Sequence, residues 1–190
     1  MTPLLETDRL WLRPLTVADA PAVQKYFDNV NIIGRLSKRV PYPYPEDGAL
    51  VFLRDVVVPA MQAGTAYGWG IVRKDGPDEV VGLIEQRLGD VDQGSRGFWL
   101  AEPFWGRGYM TEAVMRTQDY LLLEVGLERM VLLNSEDNLA SRRIKEKTGA
   151  VRIGTAILEH HHGSDVCEKW ELTREQWLAY RAKHRGRPLS

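Results

Sequence analysis

Gly97-Phe-Trp-Leu-Ala-Glu-Pro-Phe-Trp-Gly-Arg-Gly-Tyr-Met-Thr-Glu-Ala-Val114 is the stretch from which the rest of the chain is read. Phe98 to Ala101 is a short apolar run that predicts a strand. Trp105 to Tyr109 carries two glycines and reads as a turn. From Met110 onward, Met110, Ala113, Val114, Thr117 and Leu121 fall at helical spacing. The order is therefore strand, Gly-x-Gly turn, helix. The first turn of a helix has unpaired N–H groups and a partial positive charge, which suits a phosphate. Gly106 and Gly108 remove side chains where a ligand would approach the backbone closely. By itself the pattern fits either a pyrophosphate cradle or a tight connection that binds nothing.

Upstream, Leu10 and Leu12 alternate with Arg9, Trp11 and Arg13, which predicts a strand over 9–15. Thr16 and Asp19 form a capping box for a helix with Val23, Tyr26, Phe27 and Val30 on its apolar face. Over 31–45, Pro41, Pro43 and Pro45 alternate with Val40, Tyr42 and Tyr44, a density that excludes helix and favours an extended loop. Leu50, Leu53, Val57 and Met61 predict a second helix, kinked or interrupted at Pro59 and ended by Gly64. Residues 67–73 and 80–88 read as a hairpin, and 90–94 turn the chain into the strand of the opening stretch. Downstream come a strand over 129–134, then a helix capped by Asn138 and stopped at Gly149. A strand pair follows over 151–158 and 166–172. The last helix starts at the capping box of Thr173 and Gln176 and runs to about His184, before a basic tail over 185–190. This order predicts a mixed α/β sheet, mainly antiparallel, with one parallel crossover through the Gly-x-Gly helix.

A chain of 190 residues with 44% hydrophobic and 27% charged residues reads as one soluble domain spanning 1–190. A net charge of −1 offers no basic excess for nucleic acid. No apolar run approaches membrane-spanning length, and the N-terminus lacks a signal pattern. Cys167 is the single cysteine, so no internal disulfide forms, which fits a cytoplasmic protein. Monomer and homodimer both remain open.

The run Trp105-Gly-Arg-Gly-Tyr-Met-Thr-Glu-Ala113 resembles the acetyl-CoA-binding motif of the GNAT superfamily of N-acetyltransferases. Two further blocks are similar to the branch of ribosomal-protein N-terminal acetyltransferases: Glu6-Thr-Asp-Arg-Leu-Trp-Leu-Arg-Pro14, and the segment from Asn134 through Asn138 and Ser141 to Gly149. One departure is visible: Pro103 stands where that motif often has Gln or Arg. The resemblance implies a GNAT fold in which acetyl-CoA lies in a V between the strand before the cradle and the strand after its helix. It implies that 31–45 helps wall the acceptor cleft, although a plain surface connector also fits the residues. It implies acetyl transfer to an amine, with a protein or peptide N-terminal α-amine as the first expectation. Small-molecule amines (amino acids, polyamines, antibiotics) and a non-catalytic acetyl-CoA-binding module are the alternatives.

Acetyl transfer makes four demands on side chains and backbone. The backbone N–H groups of Arg107, Gly108, Tyr109, Met110 and Thr111 are candidates for holding the pyrophosphate, with the Arg107 side chain and Thr111 hydroxyl beside them. The resemblance places backbone N–H groups near Leu100 and Ala101 against the thioester carbonyl. Glu85, among Val81, Leu83, Ile84 and Leu88, is the first candidate for the base, because apolar surroundings raise a carboxyl pKa. An ion pair with Arg87 is the competing role, and Glu102 or water is the alternative base. The resemblance sets Asn134, Asn138 and Ser141 against the pantetheine arm and sulfur. Ser141 is the candidate proton donor to the leaving thiol, with Tyr109 as a rival; a simple helix cap at Asn138 and a backbone-bonded Ser141 fit equally. His160, His161 and His162 with Glu159 read as a solvated hairpin tip, since consecutive residues cannot easily converge on one metal. Cys167 reads as a packed cysteine.

Overall fold

Alternation of buried and exposed residues builds the sheet. In the computed structural model, residues 1–89 and 94–184 are described; part of the expected turn at 90–94 and the tail at 185–190 lie outside them. Five antiparallel strands run in sequence order: β1 (Leu5–Glu6), β2 (Leu10–Pro14), β3 (Ala66–Arg73), β4 (Val80–Arg87) and β5 (Arg96–Leu100). Leu10 and Leu12 are fully buried and Trp11 is exposed, as the alternation predicts. β1 is an addition that two residues of pattern do not announce. The second sheet is β6 (Arg129–Ser135), β8 (Val166–Thr173) and β7 (Val151–Ile157), in that spatial order and again antiparallel. All ladders among the described residues are antiparallel. The two sheets join where the Ser95 N–H and Ser95 Oγ both donate to Val131 O, at 2.9 and 3.0 Å.

Helices cover both faces of the first sheet. On one face α5 (Tyr109–Asp119) sets Ala113 and Val114 into a core with Leu12, Trp69, Ile71, Ile84 and Leu100. On the other, α1 (Ala20–Phe27) joins Val23 and Phe27 to Leu53, Val57, Leu83 and Trp99. The Thr16–Asp19 capping box is present, and it opens a 3-10 turn ahead of α1.

Two expectations are corrected. The extended loop begins later than expected: α2 (Val30–Ile33) is a short helix, its first turn capped by the Asn29 side chain, which accepts from the Asn31 N–H at 2.8 Å. The prolines start at Pro41 and leave those residues free to coil. The second helix is not broken at Pro59. α3 (Gly48–Val51) continues through a π-helical segment, Phe52–Val57, into α4 (Val58–Gln62). The Val58 N–H reaches Leu53 O, and this widened turn takes up the ladder position that a proline cannot fill. α6 (Leu139–Lys147) and α7 (Arg174–Lys183) complete the chain, the latter entered through the expected Thr173–Gln176 box.

Glycines on β3 and β4 let neighbours close in. A Cβ on Gly82 would lie 2.7 Å from the backbone oxygen of Trp99. Backbone cannot swing aside as a side chain can, so Gly82→Ala is expected to destabilise the fold by about 1–3 kcal/mol, the usual cost of overpacking. Urea denaturation of the variant measures it.

Candidate active site

The antiparallel ladder between β4 and β5 decides which backbone groups are free. The Ala101 N–H donates to Val81 O at 2.8 Å, so it is not the unpaired donor expected at that position. Alternation in the ladder turns the Leu100 N–H the other way, to the edge facing β6. Leu100 O accepts from Trp105 Nε1 at 2.6 Å, which ties the strand end to the Gly-x-Gly turn.

Gly106 and Gly108 both have positive φ, 75° and 81°, and Gly108 is the N-cap of α5. The first-turn N–H groups of Tyr109, Met110 and Thr111 point out of the helix end. The Tyr109 and Met110 side chains are buried in the core, so these residues offer backbone only. A clamp absent from the sequence reading fixes this turn. Glu112, 1% exposed, accepts from the Arg9 N–H at 2.9 Å and from Arg9 Nε at 2.7 Å. Arg9 Nη1 also donates to Arg107 O at 3.0 Å, and its guanidinium lies over the Tyr109 ring. Glu112 stands four residues after Gly108, and that spacing onto the buried face was the available signal.

A cavity of about 640 Å³ opens between β5 and β6 and spreads over the α1 face. Glu85, Asn134, Asn138 and Ser141 all line it. Leu100, Ala101 and Arg107 to Thr111 lie outside its lining. The loop over 35–45 contributes Leu36, Val40, Pro41 and Tyr44, and thus forms one wall. Burial and the nearby Asp28 push the Tyr44 hydroxyl up to about 12.

Glu85 is 8% exposed, and its Oε2 accepts from Arg87 Nη1 at 2.7 Å. Its surroundings are therefore not purely apolar, because a guanidinium stands beside it. Glu102 is exposed and accepts from Asn29 Nδ2 at 2.7 Å and Asn31 Nδ2 at 3.0 Å. Those two hydrogen bonds hold its carboxyl below the ordinary value and commit it to the α2 corner. Asn138 caps α6 by accepting from the Ser141 N–H at 3.1 Å. Asn134 donates to Ser135 O and to Glu168 Oε2, while its buried Oδ1 has no partner among the described residues. A free amide acceptor lining this gap suits the amide N–H of a pantetheine arm. With the glycine turn, it makes the residues present a fit for coenzyme A.

The solvated-tip reading is corrected at His160, while the His162 side chain is exposed. His160 is 6% exposed and lines the cavity, with Nε2 4.0 Å from Cys167 Sγ. His161 Nε2 meets Val40 O at 2.5 Å, and the His162 N–H donates to Gly34 O at 3.2 Å. The run is fastened to the proline loop, a long-range contact that local composition does not reveal. No cluster suited to a metal occurs among the described residues.

Two buried cations stand at the gap, Arg96 in its lining and Lys145 behind it. Arg96 donates to Gln118 at 3.1 Å, and burial pulls its guanidinium down to about 10. Lys145 Nζ donates to Ser141 Oγ at 2.7 Å, and burial, with Arg96 nearby, holds its amine well below the usual lysine value. Neither residue stands out in the sequence, where local composition does not mark it as buried.

Residues 9–151 match the family of acetyltransferase (GNAT) domains. The chain belongs to the GNAT acetyltransferase family. YoaA, an uncharacterized N-acetyltransferase of Bacillus subtilis (strain 168), is 26% identical over 161 residues, covering 81% of this chain and 86% of that protein. Among solved structures, the ribosomal-protein-S5-alanine acetyltransferase of Vibrio fischeri superposes with a TM-score of 0.77 at 19% identity, covering 92% of this chain and 98% of that one. RimL, the ribosomal L7/L12 alpha-N-protein acetyltransferase solved in complex with coenzyme A, gives a TM-score of 0.73 at 17% identity, covering 90% and 98%. The family's mixed α/β architecture, an antiparallel sheet flanked by helices, is the one observed here. No helix among the described residues is long and apolar enough to cross a membrane.

Two outcomes are expected at this site. Gly108→Val places a side chain at φ 81° in the turn, so calorimetry should show a large loss of acetyl-CoA affinity in a variant that still folds. The second concerns Lys145, whose folded-state pKa lies below its unfolded one. Between the two values the unfolded chain holds the extra proton, so stability rises with pH until about 10.4. Lys145→Met should be more stable than the parent near neutral pH, and the gap should narrow as pH rises through that window. Thermal melts across the range measure it.

Proposed function

We propose that this chain is an acetyl-CoA-dependent N-acetyltransferase whose acceptor is a primary amine, first a protein or peptide N-terminal α-amine. The observation that supports the reading is the cavity itself, which a buried carboxylate, Glu85, lines together with Asn134, Asn138 and Ser141. In this reading the Gly-x-Gly turn holds the pyrophosphate through the N–H groups of residues 107–111, with Arg107 beside it. The Leu100 N–H polarises the thioester carbonyl, and Asn134 Oδ1 and Asn138 hold the pantetheine arm. Glu85 takes the proton of the incoming amine through Oε1, which has no hydrogen bond among the described residues. Arg87 fixes the carboxylate through Oε2. Ser141 faces the sulfur.

The α-amine preference is supported by the solved relatives named above and by proton chemistry. An α-amine has an unperturbed pKa near 8, so much of it is already neutral near pH 7, whereas a lysine ε-amine near 10.4 needs more help. Cytoplasmic action belongs to the same reading, since the one cysteine is buried and unpaired. Two short peptides test the acceptor: one with only a free N-terminus, the other N-blocked with a single lysine. The first should be acetylated faster. Preference for the lysine peptide, or activity on free amino acids or amine antibiotics alone, counts against the peptide N-terminus. Glu85→Gln should lower kcat by about two to four orders of magnitude and leave acetyl-CoA affinity near wild type. Unchanged turnover across the pH profile removes Glu85 as the base.

A further inference from the structure

Lys145 is 1% exposed and sits one helical turn past Ser141 on the inner side of α6. Ser141 lines the cavity, and Lys145 lies behind it, outside the lining. Among the described residues, Ser141 Oγ is the hydrogen-bond partner of Lys145 Nζ. Other groups face the amine from two neighbouring strands. Arg96 comes from β5, and its guanidinium and the Lys145 amine lie 5.6 and 5.9 Å from the centre of the Phe98 ring. Cys167 and Glu168 come from β8. Glu168 is already committed to Arg142 at 2.8 Å and to Asn134 at 3.0 Å, and it makes no ion pair with Lys145. Arg96 Nη2 is buried without a hydrogen-bond partner among the described residues. Two buried cations thus lie next to Ser141, Arg96 in the cavity lining and Lys145 behind it. Burying them is costly, and packing alone would be served better by an apolar residue.

When the Lys145 amine is protonated it can only donate, so in that form Ser141 Oγ accepts from it at 2.7 Å and keeps its own proton for another acceptor. Among the described residues the Ser141 hydroxyl donates to nothing else. We propose that Lys145, acting through Ser141, supplies the proton taken up by the sulfur of coenzyme A when the acetyl group leaves it; this rests on the acetyl-transfer reading above. As the bond from the acetyl carbon to the amine nitrogen forms, that nitrogen's proton goes to Glu85. The carbon–sulfur bond breaks and its electron pair stays on sulfur. The Ser141 hydroxyl proton passes to sulfur, and a proton from Lys145 refills Ser141 Oγ. Lys145 is left as a neutral amine and regains a proton from water after the products depart. Burial and the charge of Arg96 loosen the ammonium's hold on that proton, which favours the delivery. Lys145 is thus a positioning residue whose contact with the reaction runs through Ser141.

Coenzyme A itself is the first probe. Thiolate absorbance of the bound thiol is titrated in the full-length wild type, Lys145→Met, Lys145→Gln and Ser141→Ala. A cation behind Ser141 should favour the thiolate, giving about tenfold more of it at a given pH in the wild type than in Lys145→Met. With acetyl-CoA and a reactive amine, Lys145→Met and Lys145→Gln should both lose about a hundredfold in kcat, with KM for acetyl-CoA within about twofold. The Lys145→Met, Ser141→Ala pair should fall no further than Ser141→Ala alone. Wild-type kcat in Lys145→Gln, which keeps a donor but has no proton to give, overturns the proposal. So does an additive loss in the double variant, or a bound thiol that ionises alike in wild type and Lys145→Met. If Lys145→Met does not fold, Lys145→Gln carries the same comparisons. A wild type that turns over no amine, yet shows the Lys145-dependent thiol shift, counts against the acetyl-transfer reading and supports the proton link.

Discussion

One carbonyl joins the two sheets. Val131 O takes both the N–H and the hydroxyl of Ser95, and no ladder links β5 to β6 among the described residues. A continuous sheet would have consumed the edge groups of β5 in hydrogen bonds. Because pairing stops at this point, the Leu100 N–H is left on an open edge and the cavity has room to form. An open edge inside a protein is normally a liability. Here helix α5, crossing from one strand to the other, covers it on the core side, and the Arg9–Glu112 clamp fixes where that helix begins.

The energetics of the cavity wall differ from those of the core beside it. Leu10, Leu12, Trp69 and Ile84 are buried for the gain of removing apolar surface from water. Arg96 and Lys145 are buried against that logic, each with one neutral hydrogen-bond partner and a shared aromatic ring. Glu168 behaves differently again. Burial works against its charge, but hydrogen bonds from Arg142 and Asn134 prevail and keep the carboxyl below its ordinary value. The three charged groups sit close together, and only the carboxylate is fully compensated.

Much of this was legible from the residues alone. The strands followed from alternation at Leu10 and Leu12, and the cradle helix from the spacing after Gly108. Both capping boxes and the stop at Gly149 were local signals, fixed within four residues of chain. The family resemblance rested on the same local blocks. What escaped was set by contacts distant in sequence. Glu112 and Arg9 are 103 residues apart, and nothing in either neighbourhood names the other. His160 looked solvated because its neighbours are polar, yet pairing with the proline loop buries it while His162 stays exposed. Lys145 belongs to a run of charges on α6, and packing against distant residues such as Phe98 of β5 buries it. At Ala101, composition could not say which amides the ladder would use.

The fastening between the proline loop and the histidine run sets how the cavity can be reshaped. Ser37 bridges His160, the Lys38 N–H reaches Glu159 O, and the His162 N–H reaches Gly34 O. Two segments over a hundred residues apart therefore act as one panel. Transplanting residues 35–45 from another family member would bring a wall without the backbone it pairs with. Residues 159–162 would have to travel with it as a single module, which makes this composite panel the natural unit of exchange when the width of the cavity is redesigned.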